Sequence, residues 1–467
     1  MALPSQYSLD AFEPYSATWD RQSITRALVE IYRCPEEFLQ FELSGKLSSK
    51  AGFFEWNDIT CYGRSVVGHG MRVTDTLLDL RPCGSRPGLQ FDPTEVINNL
   101  RLERYALHHR LSELRHGARL FRDLYYLARP SLNLRFRKHL QRAYHHAWDR
   151  IVFPSWPVDT TVERISDQML FRSMKERNVD RAPFVWFWPH GARSTVVMTH
   201  DVEADLGYDF CGELMAIDAS FDIKASFQIV PEGSYRTSDG FLQDMRDGGF
   251  EVNIQDLNHD GRLFGNLREF RRRASKINQY TRAYEANGFR AAVMYRNQDW
   301  YESFDFSYDM SVPNVAHLDP QRGGCCTVMP YFIGDILEIP LTTTQDYMLF
   351  HLLGDYSLDL WKTQAEKIIK RNGLISFLVH PDYVRESKAQ RAYCDLLVYL
   401  RDLRAQETLW FALPGEVDRW WRDRSQMQIV KRGGHWRIEG SGAERAVLAF
   451  ARAAEDGLEF ELSAEPS

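Results

Sequence analysis

Several features that mark common protein classes are absent from this sequence. The seven cysteines are scattered and none stands in a Cys-x-x-Cys pair, so neither a zinc ribbon nor a thioredoxin-like motif is expected. No apolar run approaches the roughly 20 residues that cross a bilayer. The net charge of −7 gives no reason to expect a nucleic-acid partner. The first residues lack a basic stretch followed by an apolar one, so no secretory signal is expected and a cytoplasmic location is predicted.

Length and residue patterning divide the chain into three predicted regions. At 467 residues the chain exceeds a typical single domain. Residues 1–190 are rich in charge and aromatics, and helical spacing over 92–111 and 131–152 predicts a mainly helical N-terminal region. Residues 416–467 alternate strand-like pieces with glycine turns, which predicts a small β-rich C-terminal segment.

The middle region, 191–415, has the pattern of an α/β fold. Short β-branched runs such as "STVVMTH" and "LISFLVH" alternate with helical segments such as "NLREFRRRASKINQYTRAYEANG". This alternation predicts a parallel sheet or barrel, in which functional residues collect at the C-terminal ends of strands. Polar residues do follow these runs: His200 and Asp201, His259 and Asp260, Arg290 and Arg296, Thr342 to Asp346, and His380 with Asp382. The pattern therefore predicts a catalytic barrel.

Five separated motifs in this region, within about 195–410, resemble the polysaccharide deacetylases, the NodB-homology proteins of carbohydrate esterase family four. They are "MTHDVE", "QDLNH", "GFRAAVMYRN", "DILEIPLTTTQDYMLF" and "LISFLVHPDYV". The resemblance implies a distorted (β/α) barrel of NodB type that hydrolyses N-acetyl groups of amino sugars. It also implies a divalent metal, usually zinc, held by one aspartate and two histidines.

The first two motifs supply the expected base and metal ligands. By the resemblance, Asp201 is the base that activates water. Val202 stands where the family has its metal-binding aspartate, but Glu203 returns to the same face of the strand and is the predicted replacement. His259 matches the second histidine of the family's His-x-x-x-His, and Gln255 stands in place of the first, with the neighbouring Asp256 as the alternative ligand. A glutamine oxygen is a weaker zinc ligand than imidazole, so reduced metal affinity, a different metal or an empty site are all open.

The remaining motifs supply further expected site residues. Arg290 corresponds to the arginine that orients the catalytic aspartate, although Ala292 replaces the family's proline. His380 corresponds to the general acid, a task suited to a group that titrates near neutral pH. Asp382 is placed with the catalytic residues. Those expected to line the substrate groove are His200, Asp260, Arg296, Thr342, Asp346 and Leu378.

Together these residues predict an enzyme that hydrolyses an amide of an amino sugar or of a related small intermediate, with metal-activated water. Two alternatives stay open, because Val202 and Gln255 both alter the metal shell. One is metal-independent acid–base chemistry by His259, Asp260 and His380. The other is a non-catalytic protein that binds a small molecule or carbohydrate. Fold alone does not choose among them.

Overall fold

Parallel strands with helices between them form the centre of this protein. The computed structural model describes residues 25–39, 41–66, 88–106, 148–455 and 457–463. Most of the helix predicted over 131–152 lies outside the described residues. Within these residues, no helix has both the length and the apolar character to cross a membrane.

The strands are numbered in chain order. They are β1 Glu42–Leu43, β2 Gly52–Trp56, β3 Ile59–Gly63, β4 Gly88–Leu89, β5 Arg181–Val185, β6 Ser194–Val202, β7 Ala225–Ile229, β8 Glu251–Gln255, β9 Gly288–Arg290, β10 Tyr308–Asp309, β11 Tyr331–Ile333, β12 Ile336–Glu338, β13 Leu374–Leu378, β14 Leu409–Phe411, β15 Gln428–Arg432, β16 His435–Glu439, β17 Leu448–Ala453 and β18 Leu458–Leu462.

One curled sheet holds nine of these strands, in the order β11–β12–β10–β9–β8–β7–β6–β13, with β14 also paired to β6. Neighbouring strands are parallel except for the antiparallel pair β11–β12. Every residue of β6 is buried, as expected for a parallel strand covered on both faces. The predicted α/β fold with a distorted barrel is thus confirmed.

The α-helices are numbered in the same way. They are α1 Arg26–Tyr32, α2 Pro93–Arg101, α3 Thr161–Glu176, α4 Asp205–Ser220, α5 Asp239–Asp247, α6 Leu267–Ala283, α7 Asp359–Ile369, α8 Pro381–Val384, α9 Ser387–Gln406 and α10 Pro414–Gln426, and a π-helix spans Tyr347–Leu353. Local sequence explains several starts, since the Asn266 side chain caps α6 by accepting from Glu269 N and Ser238 caps α5.

The elements before and after the central sheet contact each other as well as the sheet. The hairpin β2–β3 packs with α2 and α3 on the N-terminal side. At the other end of the chain, β17 pairs with β18 and also with β5, which precedes the central sheet. A shared apolar core joins α1, α3, β5 and the C-terminal strands. The C-terminal strands are therefore paired with an earlier part of the chain.

Candidate active site

Asp201 lies near the C-terminal end of β6 and is almost fully buried. Its Oδ1 accepts a hydrogen bond from Arg290 Nη1 at 2.8 Å, and its Oδ2 accepts one from Gln255 Nε2 at 2.9 Å. Arg290, at the end of β9, also donates to Thr199 Oγ1 and to the Met310 carbonyl, each at 2.9 Å. These bonds fix the orientation of both the guanidinium and the carboxylate.

Glu203 follows the end of β6, and its carboxylate contacts side chains from two other strand ends. Its Oε1 lies 2.9 Å from His259 Nε2 and 3.4 Å from His380 Nε2, and it accepts a hydrogen bond from Gln255 Nε2 at 3.4 Å. Burial raises the pKa of Glu203, but His259 and His380 lower it, and the result is well below the usual range. Glu203 is therefore a carboxylate at neutral pH.

His380 follows β13 and is paired with Asp346, which is fully buried. His380 Nδ1 lies 2.6 Å from Asp346 Oδ1, and the His380 backbone N donates to Asp346 Oδ2 at 2.8 Å. Burial lowers the pKa of His380, but the carboxylates of Asp346 and Glu203 raise it, and the pKa ends well above its ordinary value. Since Nδ1 is engaged by Asp346, Nε2 is the nitrogen that faces the site.

The predicted metal ligands Glu203, His259 and Gln255 lie together, and they fit a divalent ion. Among the described residues, Gln255 Oε1 is buried and has no hydrogen-bond partner. His259 Nε2 faces Glu203 Oε1 at 2.9 Å, so it becomes a metal donor once His259 loses its proton. Carboxylate, imidazole and amide oxygen are all metal donors. Asp201, Glu203 and His380 form a second possible set of metal ligands, because one ligand atom of each lies within 4.8 Å of the others. Gln255 is the weak member, because its NH₂ points at the two carboxylates.

His200 was predicted to line the substrate groove, and this prediction is wrong because its side chain points away from the site. It alternates with Asp201 on β6, so its ring points to the other face. The ring is completely buried, with Nε2 3.0 Å from Asp218 Oδ2 and Nδ1 2.9 Å from the Val379 carbonyl. A substrate cannot reach it.

Three other residues predicted to line the groove are engaged by partners elsewhere in the fold. Arg296 is buried and its guanidinium binds the Glu103 carboxylate. Asp260 receives both terminal nitrogens of Arg273, at 2.7 and 2.8 Å. Buried Thr342 donates its hydroxyl to the Leu374 carbonyl at 2.7 Å. Arg296 and Thr342 therefore use their polar groups on buried partners, and Asp260 is held in an ion pair with Arg273.

Three further predicted residues, Asp382, Asp346 and Leu378, have defined structural partners. Asp382 Oδ1 accepts from Gly207 N at 2.9 Å in the first turn of α4. A Cβ at Gly207 would lie 2.4 Å from Asp382 Oδ2, so this close approach requires glycine. Asp346, predicted to contact substrate, instead supports His380. Leu378 packs with Met294 and Leu341 in a small buried cluster, here named the apolar cluster.

An aromatic group beside His380 was not identified from the sequence. The Tyr383 ring lies 4.9 Å from the His380 ring, and the His351 ring lies 4.6 Å from Tyr383. Tyr347 lies 5.7 Å from Tyr383 and begins the π-helix, a form often found at functional sites. The only local signal was the run "DYMLFHLL", whose spacing is also that of an ordinary helix.

Comparison with known proteins gave structural matches only. No family model matches the chain, and no curated protein does. The solved structures that it resembles include a "putative polysaccharide deacetylase from Mycobacterium smegmatis", with a TM-score of 0.43, 16% identity, and coverage of 53% of this chain and 97% of that one. They also include the PuuE allantoinase, with a TM-score of 0.40, 13% identity, and coverage of 50% of this chain and 92% of that one. A third is a "probable Polysaccharide deacetylase from Pseudomonas aeruginosa PAO1", with a TM-score of 0.38, 12% identity, and coverage of 50% of this chain and 91% of that one. These matches cover about half of this chain, at identities of 12–16%.

Proposed function

We propose that this protein hydrolyses an acyl amide to a free amine and a short carboxylate. The observation that carries the proposal is the placement of two different proton carriers around Glu203. Asp201, held by Arg290, is an acceptor, and His380, held by Asp346, carries a proton on Nε2. Paired groups with opposite proton-transfer roles are the requirement for general acid–base catalysis.

The steps follow from these positions. Water attacks the acyl carbon while Asp201 takes its proton, because a carboxylate that accepts two hydrogen bonds still has lone pairs to offer. The tetrahedral intermediate then breaks its C–N bond as His380 Nε2 gives its proton to the departing nitrogen. Arg290 keeps Asp201 in place throughout. A divalent ion held by Glu203, His259 and Gln255 would supply Lewis-acid polarisation of the carbonyl when bound.

The second candidate is the same hydrolysis without a metal. The NH₂ of Gln255 donates to Asp201 Oδ2 at 2.9 Å and to Glu203 Oε1 at 3.4 Å, so a neutral donor of the chain already serves both carboxylates. Metal content of the purified protein, measured with and without prior incubation in zinc, separates the two candidates.

The proposal is tested by screening purified protein for amine release from a panel of acetyl amides. The panel contains N-acetylglucosamine, its nucleotide-linked form, and N-acetyl amides of acyclic amines. We expect release of amine and acetate in equal amounts from at least one member. Amine release no faster than in buffer from every member, with and without added zinc, would count against the proposal.

Replacing Gln255 with histidine is expected to strengthen zinc binding. The substitution replaces a weak neutral oxygen donor with imidazole, next to Glu203 and His259. We expect the dissociation constant to fall by at least the roughly 10-fold that supporting residues of metal sites contribute. Isothermal titration with zinc measures it. The matched control is Gln243→His, which adds a histidine at an exposed position of α5. Equal affinity in both variants would show that position 255 does not contact the ion.

Replacing Asp346 with asparagine is expected to move the alkaline limb of the pH–rate profile to lower pH. A general acid works only while protonated, so activity falls as pH rises through the pKa of His380. That pKa is raised by Asp346 and Glu203 against the lowering effect of burial, so loss of the Asp346 charge lowers it. The pH dependence of kcat/KM measures the shift. Asp355→Asn is the control, because Asp355 accepts from Ser357 N away from His380. An unmoved alkaline limb would exclude His380 as the acid.

A further inference from the structure

A second cavity lies at the other end of the central sheet from the candidate active site. Its volume is about 520 Å³, within the range of about 300–1,000 Å³ that is usual for small-molecule sites. Arg193, which lines the cavity, directly precedes β6, and Asp201 lies near the far end of that strand. Because a strand rises about 3.3 Å per residue, these two positions are about 26 Å apart. A molecule held in the cavity is therefore too far from Asp201 to react there.

One side of the cavity is a packed wall that joins distant parts of the chain. Phe460 of β18 packs on Tyr32 of α1 and on Phe187, with ring centroids 6.2 and 6.0 Å apart. The Tyr32 hydroxyl donates to Asp167 of α3, and Asp167 also accepts from Arg371 Nη1 at 2.9 Å. Phe460 is partly exposed, so this wall offers an apolar ring surface beside polar groups that are already fixed in place.

The charges that line the cavity leave one cation unpaired. Arg193 is paired with Glu407 at 2.8 Å. Arg371 is paired with Asp167 at 2.9 Å. Lys370 also lines the cavity and is exposed, and it has no ion pair among the residues that the structure describes. An anionic group of a ligand would therefore find its partner in Lys370, next to two arginines that already have theirs.

Glu163, on α3, lines the same cavity and is only partly hydrogen-bonded. It is 7% exposed. Its Oε1 accepts from Thr327 Oγ1 and, at 3.2 Å, from Val328 N, whereas its Oε2 has no hydrogen-bond partner within the described part of the chain. Burial raises the pKa of Glu163 to about 7, so at neutral pH this group adds less than one full negative charge to the cavity. A buried carboxyl oxygen without a partner is costly, and a ligand hydroxyl would remove that cost.

We propose that this cavity is a second ligand site, separate from the catalytic one, and that it binds a small hydroxylated ring compound with an anionic group. A sugar phosphate and a sugar acid both have this chemistry. Lys370 binds the anionic group at the mouth, the ring packs on Phe460, and a hydroxyl donates to Glu163 Oε2. The site goes beyond the amide hydrolysis proposed above and does not depend on it. It also gives the N-terminal helices and β18 a part in ligand binding.

The first test is isothermal titration of the full chain with four probes. Glucose 6-phosphate and glucuronate represent the two kinds of sugar anion, and glucose and inorganic phosphate show whether ring and charge are both needed. We expect at least one of the two sugar anions to bind about fivefold or more tightly than either glucose or phosphate, since it pairs with Lys370 and also fills the cavity. If neither sugar anion does so, the assignment of the cavity is wrong.

A matched pair of lysine variants locates the anionic group. In Lys370→Gln, the dissociation constant of the tighter sugar anion is expected to rise about fivefold, as for the loss of one ion pair near the surface. The control is Lys367→Gln, because Lys367 is exposed on the last turn of α7 and does not line the cavity. The control is expected to keep the dissociation constant within about twofold of wild type. Equal affinity in the two variants would overturn the role of Lys370.

Hydrogen exchange of the wild-type protein shows where the sugar anion binds and does not need turnover. With the anion at saturation, we expect peptides covering 370–374 and 458–462 to exchange more slowly, because both line the cavity. Peptides covering 255–260 and 380–384, in the candidate active site, are expected to exchange as before. Protection of these two peptides in place of the first two would place the anion in the candidate active site and overturn the second site. Failure to hydrolyse any amide would leave this result unaffected.

Discussion

Replacing Asp201 with asparagine is expected to lower kcat for amide hydrolysis by about 10³-fold, within the range that a general base contributes. Asparagine has nearly the same shape and still accepts a hydrogen bond from Arg290, but it cannot take a proton from water. Loss of the Asp201 charge leaves buried Arg290 without its ionic partner and is expected to lower stability, although Arg290 keeps its hydrogen bonds to Thr199 Oγ1 and the Met310 carbonyl. Steady-state kinetics with the best amide of the screen measures the loss, and thermal unfolding checks that the variant is folded.

The matched control for Asp201 is Asp260→Asn. Asp260 also follows a strand of the central sheet. Its carboxylate is bound by Arg273 and not by the residues that contact Glu203. We expect this variant to keep kcat within about threefold, as for a partly exposed ion pair. If Asp201→Asn and Asp260→Asn are equally active, Asp201 is not the base.

Replacing His380 with glutamine is expected to lower kcat by about 10²- to 10³-fold for alkyl amides. Glutamine accepts and donates hydrogen bonds but cannot transfer a proton to the departing nitrogen. The loss should be much smaller for an amide whose amine is a good leaving group, such as a nitroanilide, because that amine departs without prior protonation. Comparing kcat for the two substrate types in wild type and variant measures this difference.

The control for His380 is His190→Gln, on an exposed turn before β6. It is expected to behave as wild type with both substrates. An equal loss with alkyl amide and nitroanilide in His380→Gln would indicate that His380 has a structural role and does not protonate the leaving group.

The charges around Glu203 also bear on metal binding. Asp201 is paired with Arg290, Glu203 with His259, and Asp346 with His380. Burial lowers the pKa of His259, but the Glu203 carboxylate raises it by more, so the pKa is above its ordinary value. A metal ligand must be the neutral imidazole, so binding at His259 would release a proton and its affinity would increase with pH.

Several residues of the candidate site could be predicted because they stand at or near the ends of strands. Asp201, Glu203, Arg290 and His380 stand at or just after β6, β9 and β13, and parallel strands bring such positions to one edge of the sheet. The same strand-end pattern also selected His200, Asp260 and Arg296, whose side chains bind partners elsewhere, so the family resemblance and not local pattern singled out Asp201, Glu203, Arg290 and His380.

Residues whose roles depend on a distant partner could not be assigned from local pattern. Asp218 lies on α4 and binds His200, and Glu103 lies far before its partner Arg296. Asp346 was predicted to bind substrate, but its partner is His380, 34 positions later. Such pairs form only when the chain has folded, and no spacing rule connects their members.

The central claim, that water cleaves an acyl C–N bond in this site, is tested most directly by turnover in water enriched in ¹⁸O. The account predicts that the carboxylate released by wild-type protein carries one solvent oxygen for each amine formed, and that Asp201→Asn forms almost none. Amine formed without solvent oxygen in the carboxylate, or labelled carboxylate formed at the same rate by Asp201→Asn, would contradict the account.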